Sequence, residues 1–267
     1  MAYNYEEICT EVQKIALSTG AFIRDERKKI SAKDVETKSS ASFVTYVDKT
    51  AEKMIVGFLR ALLPEAGFVT EEGTAGHSGE HLLWVIDPLD GTTNYIHGIF
   101  PNSVSIGLIE NGQPVLGVVY EAGLDELFYA WKDSPAYLNG NVIKVSSSSH
   151  SIDALIGTGF PYYDFDRMEN YIDVLRHLMK TTRGLRRLGS AAADLCYVAA
   201  GRFDGFFEHA LHAWDVAAGA FIVRQAGGKV TDFNGGDNWL LGGEIIAASS
   251  NYFPEFYEAV HSRLGKS

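Results

Sequence analysis

Apolar positions along this chain change period several times, and each change marks an element. Over residues 5–29, Ile8, Val12, Ile15, Ala16, Phe22 and Ile23 share one face of a helix. The polar stretch 31–42 that follows is expected to be a mobile loop, and Phe43-Val44 a short strand. Helical spacing returns with Ala51, Met54, Ile55, Phe58, Leu59 and Leu62, and Thr45-x-x-Asp48 reads as a capping box with aspartate in place of glutamate. Phe68-Val69 is a second short strand, ending at Glu71-Glu72-Gly73. Residues 82–86 (Leu-Leu-Trp-Val-Ile) have no polar interruption and read as a buried strand delivering Asp87 to its end. Residues 104–109, 115–119 and 126–130 continue as strands, with Asn111-Gly112 as a hairpin turn and Asn139-Gly140 as a later turn.

Beyond a serine-rich patch at 146–151, helical segments 165–180, 190–200 and 215–226 alternate with short strands at 155–157, 205–207, 228–231 and 245–248. A run of strands followed by alternating helices and strands predicts an α+β fold, a layered sandwich. The chain is expected to be one unit, 1–267, with the serine patch as the seam between internal halves 1–145 and 146–267. No internal repeat is visible.

Composition narrows the function classes. A formal net charge of −11 argues against a nucleic-acid partner, which needs a basic face. The two cysteines, Cys9 and Cys196, form no zinc or disulfide pattern. No apolar stretch reaches membrane-spanning length, so no membrane partner is expected. The acidic first ten residues lack the basic and apolar regions of a signal peptide, and a cytoplasmic location is the expectation.

The chemistry concentrates in a few places. In Asp87-Pro88-Leu89-Asp90-Gly91-Thr92-Thr93, two carboxylates stand three positions apart around a proline that removes one backbone donor. Such hard oxygens suit a magnesium ion beside a phosphate, and Gly91 and Thr92 amides at a helix start suit the phosphate itself. A structural reading competes, in which Asp90 caps a helix starting near Thr92. It leaves Asp87 at the end of a buried strand unexplained, because an unpaired carboxylate there is costly. Glu71 and Glu72 read equally as a solvated turn, Asp215 as an N-cap opening a helix, and Glu208 and the small-residue helix start Gly189-Ser190-Ala191 as structural features. Taken together, hard carboxylates without cysteine fit Mg²⁺ or Mn²⁺ rather than zinc.

Three ordered segments resemble the signatures of the inositol monophosphatase family: Glu71-Glu72, residues 87–95 (Asp-Pro-Leu-Asp-Gly-Thr-Thr-Asn-Tyr) and Trp214-Asp215-Val216-Ala217-Ala218-Gly219. Weaker matches are Lys38-Ser39-Ser40 before Val44-Thr45, Tyr137-Leu138-Asn139-Gly140 and Ala226-Gly227-Gly228. The resemblance covers nearly the whole chain. It implies a lithium-sensitive, Mg²⁺-dependent phosphomonoesterase on an αβαβα layered sugar-phosphatase fold, commonly homodimeric. Carried over by position, Glu71, Asp87 and the Leu89 carbonyl would bind a first metal, and Asp87, Asp90 and Asp215 a second. Glu71, Glu72 and Asp48 would lie at a weaker third. Glu71 and Thr92 would activate water. Gly91 and Thr92 would hold phosphate, and Gly189, Ser190, Ala191 and Glu208 would face the alcohol. Departures are Thr70, where the family commonly has glycine, and a 31–42 loop one residue shorter, which bears on the third metal.

Thr93-Asn94 resembles the inositol branch, and a carboxylate at Glu208 suits a neutral polyol. Inositol 1-phosphate is therefore the expected substrate. Fructose 1,6-bisphosphate, adenosine 3′,5′-bisphosphate, NADP and histidinol phosphate are the alternatives. A non-catalytic divalent-cation-binding module is the rival of another class.

Overall fold

The structure is a computed structural model that describes residues 3–29, 35–37, 43–75, 81–161 and 163–265, with 35–37 and 43–45 described in backbone only. The first half contains α1 (Tyr5–Arg27), β1 (Val35–Thr37), β2 (Phe43–Thr45), α2 (Tyr46–Leu62), β3 (Gly67–Thr70), β4 (Leu82–Asp90), α3 (Thr92–His97), β5 (Ser103–Glu110), β6 (Gln113–Glu121), β7 (Glu126–Trp131), β8 (Ala136–Leu138) and β9 (Asn141–Ile143). The second contains β10 (Leu155–Thr158), α4 (Met168–Thr181), β11 (Gly184–Arg186), α5 (Ala191–Ala199), β12 (Gly205–His209), α6 (Ala213–Gln225), β13 (Gly228–Thr231), β14 (Glu244–Ser249) and α7 (Phe253–Leu264).

Strands β3 to β9 form a seven-stranded sheet in chain order, and a five-stranded sheet runs β11-β10-β12-β14-β13. The β3–β4 pair is parallel, and the other pairs of the larger sheet are antiparallel. Ile8, Val12 and Ile23 of α1 and Ile55 and Leu59 of α2 share one core with Trp84, Ile86, Ile106 and Val118 of the larger sheet. Leu195 of α5 and Val216 and Ala220 of α6 lie between Val119 and Phe128 of one sheet and Phe206, Ile245 and Ala247 of the other. The alternate strand positions, Phe207, Ile246 and Ala248, pack outward on Val174 and Leu178 of α4 and Phe256 and Val260 of α7. The layer order is thus αβαβα, as expected. Strands covered on both faces explain why the apolar runs show no alternation.

Helix α6 lies close against the larger sheet because residues 217–220 are small. A Cβ at Gly117 of β6 would lie 2.6 Å from the Ala218 carbonyl oxygen, so helix and sheet meet backbone to backbone there. This accounts for Ala217-Ala218-Gly219-Ala220 as packing chemistry.

Two local expectations change. The strand read over 82–86 does not stop at Ile86 but continues through Pro88 to Asp90. Within the presumed 31–42 loop, Val35–Thr37 pairs antiparallel with Phe43–Thr45. Lys38-Ser39-Ser40 and the Thr45 side chain of the expected capping box lie outside the described residues. Strands β8, β9 and β11 are three residues each, too short for a period to register. Among the described residues, no helix is long and apolar enough to cross a membrane.

Candidate active site

Because β3 and β4 run parallel, with Thr70 paired to Ile86, the next residues of both strands, Glu71 and Asp87, emerge side by side. The Glu71 amide donates to the Ile86 carbonyl at 3.3 Å and extends that pairing. Residues three apart on a regular strand face opposite sides of a sheet. Here the register shifts between Asp87, opposite Ser105, and Asp90, opposite Ser103. Three steps on β4 thus match two on β5, a bulge that carries Pro88 where its missing N–H costs no ladder bond. The extra residue returns Asp90 to the side of Asp87. With Asp215 they form a cluster in which one carboxylate oxygen from each lies within 4.8 Å of the others.

Each carboxylate is oriented through a backbone contact. Asp87 Oδ1 accepts from the Leu89 amide at 2.9 Å. The Leu89 carbonyl accepts from Thr92 Oγ1, also at 2.9 Å. Asp90 Oδ2 accepts from Ser190 Oγ at 2.6 Å and the Ala192 amide at 2.7 Å. Asp90 therefore serves the start of α5, not of α3, whose N-cap is Gly91 with no side-chain bond. Gly91 has φ +90°, and a Cβ there would stand 2.9 Å from the Pro101 carbonyl oxygen, so no other residue fits this corner. Asp215 is the third residue of α6 rather than its opening residue, and its Oδ2 accepts from the His212 amide at 2.6 Å. The starts of α3, α5 and α6 all line one cavity of about 190 Å³, together with Glu71, Asp87, Leu89, Asp90 and Asp215. Helix starts carry partial positive charge, so this cavity offers anion-favouring dipoles beside cation-favouring carboxylates.

Burial, then the charges of Glu71, Asp90 and Asp215, hold the Asp87 carboxyl well above its ordinary range. Burial raises Asp90 to about 6 against the opposing pull of its Ser190 and Ala192 bonds. Burial and the Asp90 charge push Asp215 well up. Carboxylates packed this way repel one another unless protonated or neutralised by a cation. Their donor set is all hard oxygen, so the cluster suits a divalent cation of the Mg²⁺ or Mn²⁺ kind.

Gly189, Ser190, Ala191 and Glu208 line the same cavity. Burial raises Glu208 to about 8, with Arg187 opposing and Asp90 adding to the shift. Glu72 and Asp48 are not on the cavity wall. Glu72 follows Glu71 on the loop after β3, and Asp48 is buried in the first turn of α2.

Sequence patterning does not single out Glu52 or Arg187, and gives Asn94 no positioning role. Glu52 of α2 is fully buried, and its carboxylate accepts from the Glu72 amide, the Thr74 amide and Thr74 Oγ1, each at 2.7 Å. It holds the loop that carries Glu71. Asn94 Nδ2 donates to the Pro101 and Leu188 carbonyls at 2.8 and 2.7 Å, tying α3 to the Gly189 turn. Arg187 is the one arginine or lysine on the cavity wall among the described residues. Glu52 shows only a helical position to a sequence reader; its three donors come from a loop twenty residues on. Glu52→Ala should destabilise the protein by roughly 3 kcal/mol, because three donors lose a charged acceptor. Urea unfolding measures this, and a midpoint equal to wild type would refute the bracing role.

The sequence model of the Inositol monophosphatase family matches residues 4–264. The chain is 40% identical over 259 residues to Nus factor SuhB of Pseudomonas aeruginosa, covering 95% of this chain and 96% of that one. It is 39% identical over 236 residues to an inositol-1-monophosphatase of Mesorhizobium japonicum, covering 88% of each. The crystal structure of extragenic suppressor protein suhB from Bartonella henselae superposes with a TM-score of 0.90 at 38% identity, covering 95% of this chain and 98% of that one.

Proposed function

The chain belongs to the inositol monophosphatase family and is a phosphomonoesterase; on that premise we propose that it hydrolyses inositol 1-phosphate to inositol and phosphate with Mg²⁺ as cofactor. The observation that carries this reading is the convergence of Asp87, Asp90 and Asp215 within 4.8 Å, in one cavity with Glu71 and Thr92.

In this reading Glu71, Asp87 and the Leu89 carbonyl would hold one cation, and Asp87, Asp90 and Asp215 would hold a second. Glu71, Glu72 and Asp48 would serve a third. Bound divalent cations supply charge neutralisation and lower the pKa of a coordinated water. The chain's own groups do the rest. The Glu71 carboxylate accepts the proton of the attacking water, and the Thr92 hydroxyl orients that water. The amides of Gly91 and Thr92 bind phosphate oxygens where the α3 dipole favours negative charge. Gly189, Ser190 and Ala191 form the floor under the leaving alcohol, and Glu208 accepts hydrogen bonds from its hydroxyls. Lithium inhibition and a homodimeric state belong to the same proposal.

A phosphate-release screen tests it. Inositol 1-phosphate, fructose 1,6-bisphosphate, adenosine 3′,5′-bisphosphate, NADP and histidinol phosphate are compared with Mg²⁺. Inositol 1-phosphate is expected to give the highest kcat/KM, EDTA to abolish turnover, and added Mg²⁺ to restore it. Turnover that survives full chelation would exclude the metal-dependent mechanism. Release from none of the esters would favour a cation-binding module.

A further inference from the structure

Strands β10 and β12 run parallel with Thr158 paired to Phe207, so the residues that follow, Gly159 and Glu208, stand side by side where both strands reach the cavity. Phe207 packs outward on α4 and α7, and side chains alternate along a strand, so Glu208 faces inward. A side chain at 159 would point the same way. Gly159 has none, and a Cβ built there would overlap Cδ, Oε1 and Oε2 of Glu208. The Glu208 carboxylate therefore fills the space of the missing side chain. The chain itself does not need glycine here, because Gly159 lies outside the left-handed region and its backbone would accept alanine. Tyr171 of α4 fixes this corner. It is buried, its hydroxyl donates to the Gly159 carbonyl at 2.8 Å and accepts from Thr158 Oγ1 at 2.6 Å, and its ring centre lies 5.0 Å from that of Phe207. With the backbone at 159 held in this way, a methyl group added there must displace the carboxylate, the free end of a flexible side chain, rather than the strand.

We infer that Gly159 is a positioning residue for substrate recognition: its missing side chain is the slot that sets where the Glu208 carboxylate stands, and Tyr171 clamps the backbone of that slot. The inference rests on the proposed function, in which Glu208 accepts hydrogen bonds from the hydroxyls of the leaving alcohol, and adds what holds Glu208 in place. Hydrogen bonds to a carboxylate are short and directional, so a carboxylate pushed out of the slot loses them. The clustered aspartates take no support from this corner. Asp87 is oriented by the Leu89 amide, Asp90 by Ser190 and Ala192, and Asp215 by the His212 amide. Displacing Glu208 therefore weakens the hold on the alcohol and leaves the phosphate chemistry as it was.

The test is a double-mutant cycle with two esters at saturating Mg²⁺. Inositol 1-phosphate carries hydroxyls for Glu208 to meet, and p-nitrophenyl phosphate carries none. Wild type, Gly159→Ala, Glu208→Ala, the double variant and Tyr171→Phe are compared. Gly159→Ala is expected to raise KM for inositol 1-phosphate by about tenfold with kcat unchanged, the signature of a lost hydrogen bond to a charged group that is remote from the reacting atoms. Its turnover of p-nitrophenyl phosphate should match wild type, which also reports that the variant is folded. In the Glu208→Ala background the same substitution should leave KM unchanged, because the group it displaces is gone. Tyr171→Phe keeps the buried ring and loses only the clamp, so it gives a reading independent of how well Gly159→Ala folds. It should raise KM for inositol 1-phosphate in the same direction by a smaller factor. A KM rise of equal size in both backgrounds would show that Gly159 does not act through Glu208 and overturn the inference. Equal losses on both esters would mean a general structural role and overturn it too, as would an unchanged KM in Gly159→Ala or in Tyr171→Phe. A wild type inactive on every ester would instead refute the phosphatase reading on which the inference stands.

Discussion

Asp90→Asn is expected to lower kcat/KM at saturating Mg²⁺ by at least about a thousandfold, on the order of 4 kcal/mol of transition-state stabilisation, with the fold retained. The expectation follows from the double duty of this carboxylate. Its Oδ2 receives the Ser190 hydroxyl and the Ala192 amide and so anchors the start of α5. Its charge belongs to the cluster with Asp87 and Asp215. Asparagine keeps a carbonyl oxygen that can accept from Ala192, but it removes the negative charge that a divalent cation needs. The variant should therefore keep the wild-type circular dichroism spectrum. In chelator it should melt no lower than wild type, because one of several mutually repelling buried acids is gone. Phosphate release near the wild-type rate would rule out the proposed metal site.

The second large effect is a coupling of stability, pH and Mg²⁺. In the metal-free protein, Asp90 is raised from 3.8 to about 6 and Glu208 from 4.5 to about 8, and Asp87 and Asp215 are also raised. A carboxyl whose folded pKa exceeds its unfolded value binds more protons folded than unfolded in the window between the two. Stability must then fall as pH rises through that window, from about 4 to about 8 for this set. Asp90 alone contributes on the order of 3 kcal/mol to that loss, which for a chain of this size lowers Tm by roughly 5–10 °C. Bound Mg²⁺ replaces the protons on Asp87, Asp90 and Asp215 and cancels their share of the loss, leaving that of Glu208. The difference in Tm between Mg²⁺-saturated and chelated protein should thus be much larger at pH 8 than at pH 5.5. Using the difference removes most of the contribution of His177 and His209, whose lowered pKa values act in the opposite direction in both samples. A Mg²⁺-induced shift that is flat across this range would refute the coupling.

Legibility differed from residue to residue for physical reasons. The covered strands and amphipathic helices were readable because burial imposes a period on consecutive residues. The boundary at Asp87 was misread because Pro88 ordinarily ends a strand, whereas a bulge accommodates it. The competing reading of Asp90 as the cap of α3 fails because its partner helix, α5, begins a hundred residues later. The bracing roles of Glu52 and Asn94 escape a sequence reading for the same reason: their partners include backbone groups brought near only by the packing of layers. Tyr163, His212 and Trp214 meet at the cavity from a loop and from the start of α6, which no local pattern connects.

Residue order alone was enough for the layer composition, the acidic and hard-oxygen character of the site and the family, because those depend on which side chains occur and at what spacing along a continuous strand or helix. Folding in three dimensions decided the rest. The one-residue bulge turned Asp90 to the side of Asp87, and the parallel β3–β4 pairing set Glu71 beside them. The third residue of α6 completed the cluster from the far half of the chain. A carboxylate's charge is written in its residue type, but its neighbours, its pKa and hence its capacity to hold a cation depend on distances that only the packed layers impose.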